Sequence, residues 1–343
     1  MKKRFNILFV LFLALSACSS QPKTLTVMTH SSFAVSEDVV KSFEDTTGIK
    51  VTFVQSGDAG EMLNKAILTK DAPLADVMFG VDNTFLSRAL GAGIYETYQS
   101  PGLVDVPDEY KLDSTNQALP VDFGDVCLNY DKKYFEEKGL SIPASLEDLS
   151  KLEYKNMLVM ENPATSSTGL AFLLATRAHF GEDGYLAYWK SLKDNGVTIV
   201  DGWETAYYTN FSGSSGHGSQ PLVVSYATSP AAEVVFANPP VETSPTGSIT
   251  ASGTCFRQIE FAGILKGTHN RAAAEKFIDF MLSTKFQEDM PLQMFVYPVN
   301  KNATLPDVFL KELQTPSTPA LITPDEIAAN RDAWIEAWTK EMK

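Results

Sequence analysis

Apolar and polar positions follow two alternating patterns along this chain. Short apolar runs, such as residues 25–28 and 51–54, predict strands. Between them, apolar residues at helical spacing from Val39 to Phe43 predict a helix that ends at Gly48. Further strands are predicted at 76–80, 157–160, 197–200 and 222–226, and further helices at 62–68, 83–90, 170–180, 231–236 and 272–282. Strands separated by helical segments of about 10–15 residues indicate βαβ units around a parallel sheet.

Two strand-like segments interrupt this alternation. Residues 121–130 and 256–265 have the pattern of strands, and no helix is predicted immediately after either of them. They connect two sets of α/β elements, so the predicted fold class is α/β, with two lobes, two crossing hinge strands and an interlobe ligand cleft. The predicted boundaries are 24–121 plus 264–322 for lobe 1, 122–130 and 254–263 for the hinge strands, 131–253 for lobe 2 and 323–343 for a C-terminal docking helix.

The C-terminal helix has a distinct start signal. Thr323 stands three residues before Glu326, with a proline between them at the first helical position, which is the pattern of a capping box. Ile327, Trp334 and Trp338 then fall on one face. An apolar face of this kind predicts that the helix docks on the body of the protein.

The N-terminus has the pattern of an export signal. Lys2, Lys3 and Arg4 precede an apolar run at 5–15 that is too short to cross a bilayer, which needs about 20 apolar residues. The run ends in Leu-Ser-Ala-Cys, which resembles a bacterial lipobox. We therefore predict a lipoprotein signal peptide at 1–17, lipidation of Cys18 and a short leash at 18–23. An ordinary signal peptide with an incidental cysteine is the alternative.

Composition narrows the possible partners. The formal net charge of −14 predicts repulsion from nucleic acid and from anionic membrane surfaces, which leaves the lipid anchor as the expected membrane contact. Besides Cys18 the chain has two cysteines, Cys127 and Cys255, in apolar strand-like segments. A disulfide is favoured outside the cytoplasm, and two buried free thiols are the alternative.

Candidate binding residues lie where predicted strands lead into helices. A run of hydroxyls at 165–168 precedes a buried helix and is suited either to an anion or to simple capping. Trp203, Tyr226 and Phe295 are aromatic residues at or near strand ends, where they could pack or could contact a flat heteroaromatic ring. Asp58 stands between glycines at a helix start, so it could pair with a cationic ligand or cap the helix.

Enzymatic interpretations have little support in the sequence. The four histidines (His30, His179, His217 and His269) lack metal-ligand spacing. There is no Gly-x-Ser-x-Gly nucleophile motif, and no carboxylate pair is distinct from the solvated majority. We predict no metal, no cofactor and no catalysis.

Several segments together resemble the thiamine-binding receptors among the solute-binding proteins of ABC transporters. These segments are 76–83, 165–170, 202–207, 224–230, 297–299 and 323–326. The resemblance implies a periplasmic-binding-protein type II fold and a monomeric receptor, lipid-anchored to the bacterial membrane at the periplasm or outer face. It would capture thiamine, thiamine phosphate or thiamine diphosphate by closing its lobes and deliver the ligand to an ABC permease.

The resemblance also implies a set of ligand-binding residues. They are His30, Asp58, Ala59, Ser166, Ser167, Trp203, Tyr207, Tyr226, Ala227, Thr228, Ser229 and Phe295. Asp58 would oppose the thiazolium charge or accept from the pyrimidine amine, the aromatic residues would enclose the rings, and the hydroxyls would hold the hydroxyethyl or phosphate group. The family often has Trp at the position of Phe295 and Tyr at that of His30, which implies weaker stacking here.

Three alternative functions remain at this stage. A ferric-ion receptor of the same fold would use Tyr207, Tyr208 and Tyr226. A polyamine receptor would fit the acidic composition but would need several carboxylates in the cleft. An extracytoplasmic hydrolase is the remote alternative from another functional class.

Overall fold

A computed structural model describes residues 23–213, 218–312, 315–316 and 318–343. The predicted signal peptide, Cys18, His217 and the leash before Lys23 lie outside these residues. The described chain contains one mixed sheet of eleven strands. In chain order the strands are β1 (Lys23–Thr29), β2 (Ile49–Gln55), β3 (Val77–Asp82), β4 (Tyr95–Glu96), β5 (Leu119–Asp131), β6 (Leu158–Glu161), β7 (Thr198–Val200), β8 (Leu222–Tyr226), β9 (Thr246–Ile249), β10 (Phe256–Leu265) and β11 (Tyr297–Pro298).

Eleven α-helices accompany the strands in the described residues. They are α1 (Glu37–Thr47), α2 (Ala59–Leu68), α3 (Leu86–Ala92), α4 (Lys132–Lys138), α5 (Ser167–Asp194), α6 (Ser229–Val235), α7 (Arg271–Met281), α8 (Thr284–Gln287), α9 (Met290–Gln293), α10 (Asp307–Glu312) and α11 (Pro324–Met342). Gly181, with φ 72° and ψ 179°, interrupts the helical dihedral angles of α5. None of the helices in the described ranges combines the length and the apolar character that a membrane span requires.

The sheet explains the two-lobed shape. Its strand order is β2-β1-β3-β10-β5-β8-β6-β7, and the long strands β10 and β5 are antiparallel neighbours at its centre. On one side β2, β1 and β3 run parallel to each other, and on the other side β8, β6 and β7 do the same. These two parallel groups and their helices form the first and second lobes, so the predicted fold class and its two crossing strands are confirmed. The exact lobe boundaries stay a prediction.

The two hinge strands are joined by more than their ladder of hydrogen bonds. Cys127 of β5 and Cys255, just before β10, form a disulfide. The guanidinium of Arg257 binds the carboxylate of Asp125 with two hydrogen bonds, of 3.0 Å and 2.9 Å. Bidentate pairs of this kind fix relative orientation as well as distance. The hinge is therefore cross-linked at the end nearer the second lobe.

The C-terminal helix docks as predicted. The side chain of Thr323 accepts a hydrogen bond from the N–H of Glu326 at 3.2 Å. Ile327, Trp334 and Trp338 are buried, and the Trp338 ring packs edge-on against a tryptophan of α5 at 5.6 Å between centroids. Because α11 contacts both α5 and α3, it packs against both lobes.

Three local features differ from the sequence-based prediction. Helix α4 directly follows β5, where no helix was predicted, because the Asp131 side chain at the end of the strand caps it by accepting from the N–H of Tyr134. Helix α3 begins at Leu86, not at Asn83, because the Asp82 carboxylate accepts hydrogen bonds from Thr84 and Phe85 and forms a turn before the helix. Residues Thr205–Asn210 form a π-helix, which the sequence did not predict. Single π-helical turns are rare and occur frequently at functional sites.

Candidate ligand-binding site

A cavity of about 270 Å³ lies where the lobes and the hinge strands meet. The first lobe contributes His30, Ser31, Ser32, Ala34 and Asp58. The second lobe contributes Ser167, Thr168, Trp203, Glu204, Tyr207, Tyr208, Tyr226, Ser229, Ala232 and Phe236. The hinge and the segment before β11 contribute Glu260, Gln293, Met294, Phe295 and Val296. The volume is suited to a small ligand, because drug-sized ligands occupy pockets of about 300–1,000 Å³.

Trp203 provides a fixed aromatic wall of this cavity. Its indole stacks on the Tyr207 ring at 5.1 Å with an 18° interplanar angle, and Tyr208 meets it edge-on at 5.4 Å. The Trp203 Nε1–H donates a 2.9 Å hydrogen bond to the buried Oγ of Ser225. Contacts on a ring face, a ring edge and the ring nitrogen hold the indole in one orientation, as recognition of a flat ligand requires.

The π-helix explains how two adjacent tyrosines both reach the cavity. Tyr207 and Tyr208 are consecutive, and both line the cavity wall next to Trp203. Tyr207 is buried, and its hydroxyl donates to Glu233 at 2.8 Å. Burial, together with the Glu233 carboxylate, raises the pKa of Tyr207 well above its usual value.

Phe295 forms another part of the wall from an unusual backbone conformation. Its φ of 53° lies in the left-handed region, which is unfavourable for a bulky residue. The hydroxyl of Thr228 donates a hydrogen bond to the Phe295 carbonyl oxygen, and the ring packs against Phe236 and Phe309. Thr228 therefore positions the backbone of Phe295.

Asp58 connects the first lobe to the second. One carboxylate oxygen accepts from the N–H of Ala59 at 2.6 Å, so Asp58 is the N-cap of α2. The other oxygen accepts from the backbone N–H of Trp203 at 3.0 Å. Two residues further on, the N–H of Gly60 donates to the carbonyl of Thr165 in the second lobe, also at 3.0 Å. The structure is thus a closed conformation with interlobe hydrogen bonds along the start of α2.

Three buried carboxylates form a row across the hinge. In the register of β3, β10 and β5, Glu260 is paired with Asp82 on one side and with Asp122 on the other. Burial raises the pKa of Asp82 to about 7, and burial together with Glu260 raises the pKa of Asp122 well above its usual value. Glu260 is the member of the row that lines the cavity. The hydroxyl of the cavity residue Tyr226 donates a 2.7 Å hydrogen bond to Oε1 of Gln258, and Nε2 of Gln258 in turn donates to the carboxylate of Asp82.

His30 lies beside this row. Its side chain is buried, and its Nε2 is 3.7 Å from a carboxylate oxygen of Glu260. Burial alone would lower the pKa of His30, but the charge of Glu260, with smaller effects from Asp58 and Glu204, raises it above 6.5. His30 therefore favours its protonated form at weakly acidic pH.

Most of the predicted binding residues meet at the cavity. Eight of them line it: His30, Asp58, Ser167, Trp203, Tyr207, Tyr226, Ser229 and Phe295. Ala59, Ser166, Ala227 and Thr228 lie behind the wall, where all four are buried. The Ser166 hydroxyl is 3.0 Å from that of Thr168, and Ala227 packs next to the disulfide.

The sequence-based reasoning missed the acidic residues Glu204 and Glu260. The available signal for Glu260 was a charged residue between the apolar residues Ile259 and Phe261 of a strand, which marks a buried group that needs a partner. Among the described lining residues there is no lysine or arginine. An anionic group at the start of α5 would therefore depend on hydroxyls and backbone N–H groups.

The described residues contain no group of three or more His, Cys, Asp or Glu side chains that could hold a metal ion. The three tyrosines considered for iron all line the cavity, but their hydroxyls have different surroundings. Tyr207 donates to Glu233, Tyr226 donates to Gln258, and Tyr208 is 45% exposed.

Comparisons with known proteins agree with this architecture. Residues 72–327 match the family model described as bacterial extracellular solute-binding protein. The thiamine-binding periplasmic protein of Escherichia coli K12 is 31% identical over 323 residues, 93% of each chain, and that of Salmonella typhimurium LT2 is 30% identical over 97% of each. A solved structure of a periplasmic thiamin binding protein superposes with a TM-score of 0.82 at 29% identity, covering 93% of this chain and 96% of that one. The chain belongs to the bacterial extracellular solute-binding protein family.

Proposed function

We propose that this protein is an extracytoplasmic receptor that captures thiamine between its lobes and delivers it to an ABC permease. The observation that carries the proposal is the pairing of a fixed aromatic wall around Trp203 with the buried carboxylate of Glu260 in one small cavity. Thiamine combines two flat heterocycles with a permanent positive charge and an amine, so it needs both features. The named relatives support the same ligand.

The cavity charge favours thiamine over its phosphates. Asp58, Glu204 and Glu260 line the cavity, whereas no described lining residue is lysine or arginine. A thiamine cation is attracted to these carboxylates, and each added phosphate brings negative charge close to them. The hydroxyls of Ser167 and Thr168 can accept one small polar substituent but supply no compensating cation. We therefore place thiamine first, its monophosphate second and its diphosphate last.

Binding and closure are coupled in this proposal. The ligand would lie between Trp203 of the second lobe and the first-lobe residues near Asp58, so it contacts both lobes only in the closed form. A ligand shifts a two-state equilibrium by the difference of its affinities for the two states. The permease would then engage the closed form. The predicted lipid at Cys18 would keep the receptor near the permease, and no catalysis is proposed.

Iron is a weaker candidate for this cavity. A ferric receptor needs tyrosinates, but burial raises the pKa of Tyr207, Tyr208 and Tyr226, and nearby carboxylates add to the effect. The hydroxyls of Tyr207 and Tyr226 already donate hydrogen bonds, to Glu233 and Gln258 respectively.

A ligand panel tests the proposal. Ligand-stripped protein is titrated with thiamine, thiamine monophosphate, thiamine diphosphate, ferric citrate and spermidine, with tryptophan fluorescence as the readout. The expected result is tightest binding of thiamine. Binding of ferric citrate or spermidine without any thiamine compound would overturn it.

A further inference from the structure

Glu260 and His30 lie side by side at the cavity, close enough for an ion pair but too far apart for a hydrogen bond. Oε2 of Glu260 and Nε2 of His30 are both buried without a hydrogen-bond partner, and the distance between Nε2 and Oε1 is 3.7 Å. Nearly all buried polar groups in proteins have a partner. Because His30 and Glu260 both line the cavity, a ligand bound there lies beside this loosely paired couple.

The imidazole is held in place by its packing. A Cβ at Gly80 of β3 would lie 2.2 Å from Cδ2 of His30, so the ring rests directly on the glycine backbone. The Phe79 ring lies 6.0 Å from the imidazole between centroids. His30 is thus kept close to Glu260.

The charged groups around His30 come from several elements and are all acidic. Glu260 faces it from β10, Asp58 from the start of α2 and Glu204 from the second lobe. Asp82 of β3 and Asp122 of β5 flank Glu260 from behind. His30 is accordingly the single cationisable side chain among the described residues that line the cavity.

We propose that Glu260 is the counter-ion for the positive charge of a small organic cation, and that protonated His30 takes this position when the cavity is free. This inference rests on the proposed function and identifies Glu260 as the residue that recognises the positive charge of the ligand. On binding, the ligand cation replaces the histidinium charge beside Glu260. The imidazole becomes neutral, and its proton passes to solvent, so the charge within the cavity stays constant.

Proton release makes affinity depend on pH. Below the pKa of His30 in the free protein, which lies above 6.5, the dissociation constant for a permanent cation rises by up to about tenfold per pH unit. Above that pKa His30 no longer contributes to the pH dependence. A His30→Gln variant lacks this proton, so its affinity should depend on pH less than that of the wild type over the same range; any remaining dependence comes from Asp82 and Asp122, which flank Glu260.

Calorimetry in paired buffers tests this proposal. Thiamine is titrated into wild-type protein between about pH 6 and about pH 8.5, in buffers with low and high ionisation enthalpy. The expected result is proton release below neutral pH in wild type and clearly less in His30→Gln, in which only the carboxylates beside Glu260 can still release protons. His179→Gln is the matched control, because His179 also pairs with a glutamate, at 2.7 Å, but lies outside the cavity lining. It should release protons as wild type does.

Glu260→Gln provides a second test. It keeps the shape of the side chain, removes the counter-ion and should weaken thiamine binding by about 10- to 100-fold at high pH. Thiamine binding with no proton release and no pH dependence in wild type would overturn this inference and leave the proposed function intact. If wild type bound no thiamine at any pH, the proposed function itself would fail, and this inference with it.

Discussion

The carboxylate of Asp58 accepts a 3.0 Å hydrogen bond from the backbone N–H of Trp203. Asp58 is the N-cap of α2 in the first lobe. Trp203 is part of the aromatic wall of the cavity in the second lobe. One side chain therefore starts a helix, contacts the ligand cavity and joins the lobes.

Substitution of Asp58 separates these roles. Asp58→Ala removes the cap and the interlobe bond, so we expect about 1 kcal/mol lower stability and about 10- to 100-fold weaker thiamine binding. Asp58→Asn is the matched control, since asparagine caps helices equally well but carries no charge. Thermal unfolding and calorimetry measure the two effects. Unchanged affinity in Asp58→Ala would show that the interlobe bond does not support closure.

Substitution of Gly60 by alanine tests whether the lobes must close for binding, without changing any charge. A Cβ at this position would lie 2.6 Å from the carbonyl oxygen of Thr165, which is too close for a real contact. Gly60→Ala should therefore hold the lobes apart and weaken binding at least about tenfold. In the open protein the new Cβ would also lie 3.0 Å from Cζ of Phe85, so that ring must shift slightly, and the gain of about 1 kcal/mol in helix propensity opposes this cost. Small-angle scattering with and without thiamine measures the closure.

The control for this variant is Gly91→Ala in α3. A Cβ there meets nothing within 4 Å, so it should change neither affinity nor closure. If Gly60→Ala closed on thiamine with wild-type affinity, the close approach of α2 to Thr165 would not be required.

The wall residue Trp203 should report binding directly. It is the tryptophan that lines the cavity within the described residues, so thiamine should change its fluorescence. Trp203→Phe should lose this signal and weaken binding about tenfold, because phenylalanine is a poorer partner for a cation and cannot donate to Ser225. Trp334→Phe, in α11, should keep the signal. A full signal in Trp203→Phe would place the ligand elsewhere.

The hinge disulfide should contribute to stability more than to affinity. Cys127 and Cys255 are separated by 128 residues, and loss of a disulfide that closes so long a loop costs about 2–5 kcal/mol of stability. We expect Cys127→Ala/Cys255→Ala to lose that amount in urea unfolding. Thiamine affinity should stay within about threefold, because neither cysteine lines the cavity. A large loss of affinity in the folded variant would contradict this.

The buried Asp82 gives stability a defined pH dependence. Its pKa is about 7 in the native state against 3.8 for the ordinary group, so the native state binds the proton more tightly than the unfolded state. The free energy of unfolding should fall as pH rises from about 4 to about 7, and level off above. Asp82→Asn removes this contribution, so its curve should slope less over that interval. Parallel curves for the two proteins would contradict the assignment.

The sequence predicted the strands and helices well because their apolar runs are long and regular. The crossing strands β5 and β10 were identified because no helical pattern was recognised directly after either, although α4 in fact begins at Lys132, immediately after β5. The aromatic residues Trp203, Tyr226 and Phe295 were found because they stand near strand ends.

Other features depend on contacts that a sequence does not display. Thr228 was expected at the ligand but supports the backbone of Phe295 from behind the wall. Glu260 was missed because its significance arises from register: only the pairing of β10 with β3 and β5 places it between two other carboxylates. The π-helix that brings both Tyr207 and Tyr208 to the cavity has no recognisable sequence signal.

The most direct test of the account is calorimetric titration of ligand-stripped wild-type protein with thiamine at neutral pH. We predict one site with a submicromolar dissociation constant, equivalent to more than about 8 kcal/mol of binding free energy. No detectable heat, in protein whose unfolding shows that it is folded, would contradict the claim that this cavity is a thiamine site.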